Sequence, residues 1–147
     1  VKNFNNELSK YNRNPCVVFD IDGTILVDGN YAPSSNDDIV TDVYEFLLYL
    51  QTRGISIFII TARPDSQANR QGTMNMLDDL RIDYKYLYMW DRSSIGNHTT
   101  FKELARKDIL DNNYNIVMSL GDNEWDYGKH GGLGVHIHND GEYITYH

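Results

Sequence analysis

The sequence contains a single cysteine, Cys16, so no disulfide can form within the chain. Because Cys16 adjoins an apolar run, it is interpreted as a small core residue rather than a nucleophile. No apolar stretch approaches the roughly 20 residues of a membrane-spanning helix, so no membrane partner is expected. The low cysteine content favours a reducing, cytoplasmic location, although a chain that begins with Val1 is also compatible with removal of a leader peptide.

Basic residues are scarce as well, with 13 Lys and Arg against 21 Asp and Glu and a formal net charge of -8. This balance argues against nucleic-acid binding through a broad basic surface, but it is compatible with a short basic groove. The chain also lacks a glycine-rich phosphate loop, which argues against an ATPase or a kinase. No cysteine and histidine cluster has the spacing of a zinc site, because the histidines are scattered at His98, His130, His136, His138 and His147.

The 147 residues are sufficient for one domain with a substantial core, and we expect a single domain over residues 1–147. Residues 1–14 are polar and Asn-rich, which indicates an N-terminal arm or a short surface helix. Apolar runs predict strands near residues 16–20, 55–60, 84–89, 115–120 and 133–138, and amphipathic stretches between them predict helices. This alternation indicates an α/β fold in which helices cover both faces of a parallel sheet.

Three of the predicted strands end in chemically reactive side chains. The first runs into two acids one residue apart, the second ends at a threonine, and the fourth runs into a glycine and two more acids. In open parallel sheets, ligands bind outside the carboxyl ends of the strands. We therefore expect one edge of the sheet to gather Asp20, Asp22, Thr61, Asp122 and Asp126.

The pair Asp20 and Asp22 also has an ordinary interpretation, since an Asp-Gly turn after a strand is common. However, acids this close repel each other unless a cation or a shared proton lies between them. Carboxylate oxygens are hard ligands that favour Mg²⁺ over zinc or copper. Together with Asp122, the pair predicts a Mg²⁺ site.

Thr100 and Glu103 have the spacing of a capping box with Thr100 as the N-cap, which predicts Lys102 in the first turn of a helix. A cation opposes the helix dipole there, and a bound anion would offset this cost. The hydroxyl of Thr61, the ammonium of Lys102 and a Mg²⁺ ion at one point would form a phosphate site. In such a site a carboxylate can attack phosphorus and form an aspartyl-phosphate.

Four motifs follow one another along the chain: Asp20-Ile21-Asp22-Gly23-Thr24, Thr61 at the end of an apolar run, Lys102, and Gly121-Asp122 with Asp126. In this order they resemble the motifs of the haloacid dehalogenase (HAD) superfamily of phosphatases. The fourth motif, which runs from Gly121 to Gly128, together with Thr100-Phe101-Lys102 most closely resembles the acid-phosphatase branch. The resemblance implies a Rossmann-like HAD fold and a Mg²⁺-dependent phosphomonoester hydrolase. Each interval between the first three motifs holds only about one helix and one strand, so we expect no large cap domain.

The resemblance also implies a role for each motif residue. Asp20 is expected to attack phosphorus, and Asp22 to protonate the leaving oxygen and then activate water. The metal ligands are expected to be Asp20, Asp22 through its backbone carbonyl, and Asp122. Thr61 and Lys102 are expected to hold the phosphoryl group, with support from Thr24, Asn123 and Asp126. Apart from the resemblance, a substrate rim is predicted from Tyr31, Arg63, Trp90, Arg92 and Trp125. Arg63 is interpreted either as a substrate contact or as part of a structural ion pair, and Trp125 either as a surface that stacks on a base or as packing for its own loop.

The resemblance leaves alternatives open. The phosphatase part of phage-type polynucleotide kinases is similar in size and arrangement, so the protein is alternatively a polynucleotide 3′-phosphatase or a nucleotidase. The expected partner is accordingly a phosphorylated small molecule or a nucleic-acid end. A receiver-like signalling domain also uses acids, Mg²⁺, Thr and Lys, but it does not ordinarily place its nucleophile in Asp-x-Asp-Gly-Thr after the first strand. A non-catalytic relative would have lost the nucleophile, whereas Asp20 is present.

Overall fold

A computed structural model of the chain describes residues 1–11, 13–27, 38–91, 96–138 and 142–146. The helices are α1 (Lys2–Leu8), α2 (Thr41–Thr52), α3 (Gln67–Asp79) and α4 (His98–Asp111), and a 3₁₀ turn covers Glu124–Asp126. The strands are β1 (Pro15–Phe19), β2 (Ser56–Pro64), β3 (Tyr86–Trp90), β4 (Asn115–Gly121), β5 (Leu133–Ile137) and β6 (Tyr143–Tyr146). In the described parts of the chain, no helix has the length and apolar character needed to cross a membrane.

The six strands form one sheet in the order β3-β2-β1-β4-β5-β6. Strands β1 to β5 all run parallel to one another, and β6 is antiparallel to β5. The predicted α/β fold is therefore confirmed, while β6 was not predicted. The strand order reverses between β1 and β4, which is the place where doubly wound sheets bind their ligands. A receiver-type domain has the strand order 2-1-3-4-5 instead, so this topology disfavours the receiver-like alternative.

Strands β1, β2 and β4 are buried on both faces, as their near-continuous apolar runs indicate. Successive side chains of β1 alternate between two clusters, with Val17 and Phe19 on the side of α1 to α3 and Cys16 and Val18 on the side of α4. Burial raises the pKa of the Cys16 thiol to about 12, which makes it a poor nucleophile. The structure thus supports the interpretation of Cys16 as a core residue.

Residues 1–14, expected to form a surface arm or short helix, include α1. Its Phe4 is fully buried and packs edge-to-face on Phe46 of α2, with ring centroids 5.8 Å apart. The described chain between Thr24 and Thr61 contains one helix, α2, and that between Thr61 and Lys102 contains α3 and β3. Among the described residues, no large cap domain covers the carboxyl edge of the sheet.

Candidate active site

Three carboxylates meet where β1 and β4 end. Asp20 follows β1 directly, Asp122 follows β4, and Asp126 lies in the 3₁₀ turn just after it. One oxygen from each of these carboxylates lies within 4.8 Å of the others. Because β1 and β4 are adjacent parallel strands, side chains about a hundred residues apart become neighbours. We call Asp20, Asp122 and Asp126 the aspartate cluster.

Two glycines allow the loops of the cluster to approach each other. A Cβ atom at Gly23 would lie 2.2 Å from Asp122 Oδ2, and one at Gly121 would lie 2.1 Å from Asp126 Cβ. Gly23 also has a φ of +76°, which disfavours residues with a side chain. The glycines of the first and fourth motifs are therefore explained by close approach to the acids.

Lys102 supplies a buried positive charge to the cluster. Its Nζ lies 3.1 Å from Asp20 Oδ1 and 2.6 Å from Asp126 Oδ1. It also donates a hydrogen bond to the Ile60 carbonyl at 2.7 Å, and the side chain is 2% exposed. These contacts fix the ammonium between Ile60 of β2 and the aspartate cluster.

The start of α4 differs from the prediction. The N-cap is Asn97, whose side chain accepts a hydrogen bond from the Thr100 backbone N–H at 2.8 Å. Thr100 is therefore a helical residue and not the cap, and Lys102 lies in the second turn instead of the first. The predicted repulsion between the Lys102 ammonium and the helix dipole is therefore weak, because the dipole effect is confined to the first turn. The position of Lys102 is set instead by its carboxylate and carbonyl partners.

The electrostatics of the cluster favour a cation. Burial raises the pKa of Asp20 well above its usual range, and the charges of Asp126 and Asp122 raise it further, while Lys102 lowers it. Burial lowers the pKa of Lys102, but the nearby Asp20 and Asp126 carboxylates outweigh this effect and raise it overall. Three carboxylates around one ammonium leave excess negative charge. Because the donors are all hard oxygens, the cluster fits Mg²⁺.

Asp22 is not part of the aspartate cluster, and its carboxylate is held by Arg63 instead. The Arg63 Nε and Nη2 atoms donate to the two Asp22 carboxylate oxygens, each at 2.9 Å. Arg63 Nη1 donates to Thr73 Oγ1 of α3 at 3.1 Å. In this structure the Arg63 guanidinium forms an ion pair with the Asp22 carboxylate. A contact between Arg63 and substrate stays a prediction.

The remaining predicted residues have distinct surroundings. The Thr61 hydroxyl accepts a hydrogen bond from the Arg63 backbone N–H at 3.2 Å. Asn123 Nδ2 donates to Asp122 Oδ1 at 3.3 Å, and the Asn123 backbone N–H donates to Asp126 Oδ2 at 3.1 Å. Thr24 is fully buried, but its hydroxyl has no hydrogen-bond partner among the described residues.

A cavity of about 300 Å³ lies above the cluster, lined by Asp20, Asp22, Thr61, Lys102, Asp122, Trp90, His98 and Trp125 among others. Along its wall, the His98 ring lies edge-on between two tryptophans, 4.4 Å from Trp90 and 5.1 Å from Trp125 between ring centroids. We call these three residues the aromatic row. The tryptophans were predicted at the rim, but His98 was not, because a lone histidine carries no sequence signal for such a contact. Tyr31 and Arg92 lie outside the described residues.

A family model described as HAD superfamily, subfamily IIIB (acid phosphatase), matches residues 1–137. The chain belongs to this family. The acid-phosphatase branch of the HAD superfamily was predicted from the four motifs, and this prediction is confirmed. No curated protein has significant sequence similarity to this subfamily IIIB chain.

Solved structures share the HAD fold. A chain of the Pnkp1/Rnl/Hen1 RNA repair complex is 21% identical with a TM-score of 0.68, over 84% of this chain and 42% of that one. A second structure of the Pnkp1/Rnl/Hen1 complex is 19% identical with a TM-score of 0.69, over 85% and 46%. The D,D-heptose 1,7-bisphosphate phosphatase from B. bronchiseptica, complexed with magnesium and phosphate, is 12% identical with a TM-score of 0.62, over 87% and 83%. The subfamily IIIB chain thus spans less than half the length of the RNA repair chains.

Proposed function

We propose that this protein is a Mg²⁺-dependent phosphomonoester hydrolase that works through an aspartyl-phosphate on Asp20. The observation that carries the proposal is the aspartate cluster with Lys102 at the floor of an accessible cavity. Membership of an acid-phosphatase family supports the same reaction. Phosphoryl transfer depends mainly on positioning and on neutralisation of charge, which this arrangement provides.

Asp20 is the proposed nucleophile. Its carboxylate oxygen attacks phosphorus, the bond from phosphorus to the ester oxygen breaks, and an acyl phosphate forms. Lys102 and the hydroxyl of Thr61 line the cavity beside Asp20, where a hydroxyl and an ammonium can hold the phosphoryl oxygens. Water then attacks phosphorus, which releases inorganic phosphate and regenerates Asp20.

Asp22 is the proposed general acid and base. It gives its proton to the leaving alkoxide in the first step and takes a proton from the attacking water in the second. The two hydrogen bonds from Arg63 fix the carboxylate at the cavity wall, on the side of β2. Arg63 accordingly acts as the orienting partner of Asp22.

Asp20, Asp122 and the backbone carbonyl of Asp22 would hold Mg²⁺, and Asp126 is close enough to take part or to support its neighbours. When bound, the ion would offset the negative charge of the attacking carboxylate and the phosphoryl oxygens. The ion pair between Lys102 and Asp126 would hold the ammonium in its position when Asp20 and Asp122 bind the metal ion.

A nucleotide or a nucleic-acid end is the second candidate substrate, and the aromatic row favours it. The row places three half-buried aromatic rings on the cavity wall beside a charged floor, an arrangement that suits a phosphate attached to a planar base. Stacking of a base on an aromatic side chain contributes roughly 1–3 kcal/mol. Comparison of a nucleoside monophosphate, a 3′-phosphorylated oligonucleotide and a small alkyl phosphate would separate these substrates, because only the first two can use the row.

The proposed function is tested with the variant Asp20→Asn. We expect this variant to fold but to hydrolyse none of a broad set of phosphomonoesters, because an amide oxygen is a poor nucleophile. For the wild-type protein, EDTA should abolish turnover and added Mg²⁺ should restore it. Wild-type rates from Asp20→Asn, or full activity in EDTA, would rule out the proposed mechanism.

A further inference from the structure

Arg106 is a buried arginine that the four motifs do not include. It lies on α4 four residues after Lys102, so both side chains project from the same face of the helix. Its exposed fraction is 0%, although arginine is almost never fully buried without a charged partner. Among the described residues, Arg106 forms no ion pair with a carboxylate.

The guanidinium is instead bound to the backbone of the segment that follows β4. Arg106 Nη1 donates to the Trp125 carbonyl at 2.8 Å, and Nε donates to the Lys129 carbonyl at 2.7 Å. The Trp125 carbonyl belongs to the peptide that leads into Asp126. These two bonds therefore hold the peptide adjoining Asp126 at a fixed distance from α4, the helix that carries Lys102.

This arrangement is costly for stability. Burial lowers the pKa of Arg106 to about 10, and the nearby negative charge of Asp126 only partly offsets the burial. The remaining nitrogen, Nη2, has no hydrogen-bond partner among the described residues. Well-packed apolar residues often replace buried charges without loss of stability, so fold stability alone does not explain an arginine at this position.

We propose that Arg106 is a positioning residue that holds the segment after β4 so that Asp122 and Asp126 stay in place to receive a divalent cation. The inference rests on the proposed function, because it concerns the same metal site. Arg106 is not among the residues that line the substrate cavity. It acts through the carbonyls of Trp125 and Lys129.

The test measures the Mg²⁺ dissociation constant by calorimetry on the metal-free protein, with Arg106→Met and Arg106→Lys as variants. Partners that orient metal ligands typically change metal affinity by roughly 10- to 100-fold, and we expect weakening of this size in both variants. The matched control is Arg70→Met on α3, since Arg70 also donates to a carbonyl, that of Leu87 at 3.1 Å, but lies away from the cluster. The control should bind Mg²⁺ as the wild type does.

Arg106→Met and Arg106→Lys distinguish an effect of Arg106 on the position of the metal ligands from an effect of its positive charge. If Arg106 acted only through its charge, Arg106→Met would bind Mg²⁺ more tightly and Arg106→Lys would bind it unchanged, and either result would overturn the proposal. Circular dichroism in EDTA checks folding, and Arg106→Lys serves as the test if Arg106→Met does not fold. Wild-type affinity in the folded variants would refute this inference alone, whereas a wild-type protein that binds no Mg²⁺ would refute the metal site as well.

Discussion

Removal of the buried ammonium of Lys102 should destabilise the metal-free protein strongly. In Lys102→Met, Asp20 and Asp126 lose the partner that lies 3.1 and 2.6 Å from their carboxylates, and the Ile60 carbonyl loses its donor. Removing one partner of a buried ion pair costs about 3–5 kcal/mol, because the other charge stays buried without compensation. We expect a loss of this size in the free energy of unfolding, measured by urea denaturation in EDTA at neutral pH.

The same helix offers a matched control in Lys107→Met. Lys107 pairs with Asp111 at 2.9 Å, but its side chain is 58% exposed. Exposed pairs at this helical spacing contribute only about 0.3–0.5 kcal/mol. The two substitutions remove the same chemical group from one helix, so the difference between them isolates the effect of burial among the acids.

The pH dependence of the stability of Lys102→Met provides a second check on the electrostatic role of Lys102. The pKa of Asp20 in the folded protein is already raised, and loss of Lys102 removes the influence that lowers it. The folded state of Lys102→Met therefore binds this proton more readily than the unfolded state, whose carboxyl pKa is about 3.9. Its stability should rise as the pH falls toward that value and decrease as the pH rises, more steeply than in the wild type. A penalty equal to that of Lys107→Met, or one independent of pH, would refute this electrostatic account.

Two further predictions concern the metal and the general acid. Mg²⁺ at a hundred times its dissociation constant should stabilise the wild type by about 2.7 kcal/mol, which raises the thermal midpoint by roughly 5–10 °C. Asp122→Asn should lose this rise, and an unchanged rise in that variant would exclude Asp122 as a ligand. Arg63→Lys cannot form the two parallel hydrogen bonds to Asp22, so kcat should fall by roughly 10²-fold with little change in KM. If KM alone increased, Arg63 would be a substrate contact, as first predicted.

The fold and the meeting of the motif acids could be predicted from the sequence where the local residue pattern and the rules of sheet topology agree. Apolar runs that end in acids predicted β1 and β4, and one that ends at Thr61 predicted β2. The rule that parallel strands share a carboxyl edge predicted that Asp20 and Asp122 would meet. Strand β6 was missed because it has four residues and is mostly exposed, so it carries little burial signal. The cap of α4 was misplaced because Asn97 and Thr100 are both good caps three residues apart, and the side chain of Asn97 binds the backbone of Thr100.

The tertiary partners of the charged side chains were less accessible to sequence reasoning. Nothing local to Arg63 shows that its guanidinium turns to Asp22 and Thr73. From the sequence alone, Arg106 is indistinguishable from an ordinary surface residue of a helix. Its acceptors are backbone carbonyls, which every residue has, so no sequence pattern identifies them.

The central claim is that Asp20 bonds covalently to phosphorus. The most direct measurement is rapid acid quenching of the wild type during turnover with Mg²⁺, followed by borohydride reduction and mass spectrometry. Reduction converts an acyl phosphate of aspartate to homoserine, and we expect this conversion at position 20 only when both substrate and Mg²⁺ are present. An unmodified Asp20 together with conversion of another aspartate, such as Asp22 or Asp122, would contradict the account.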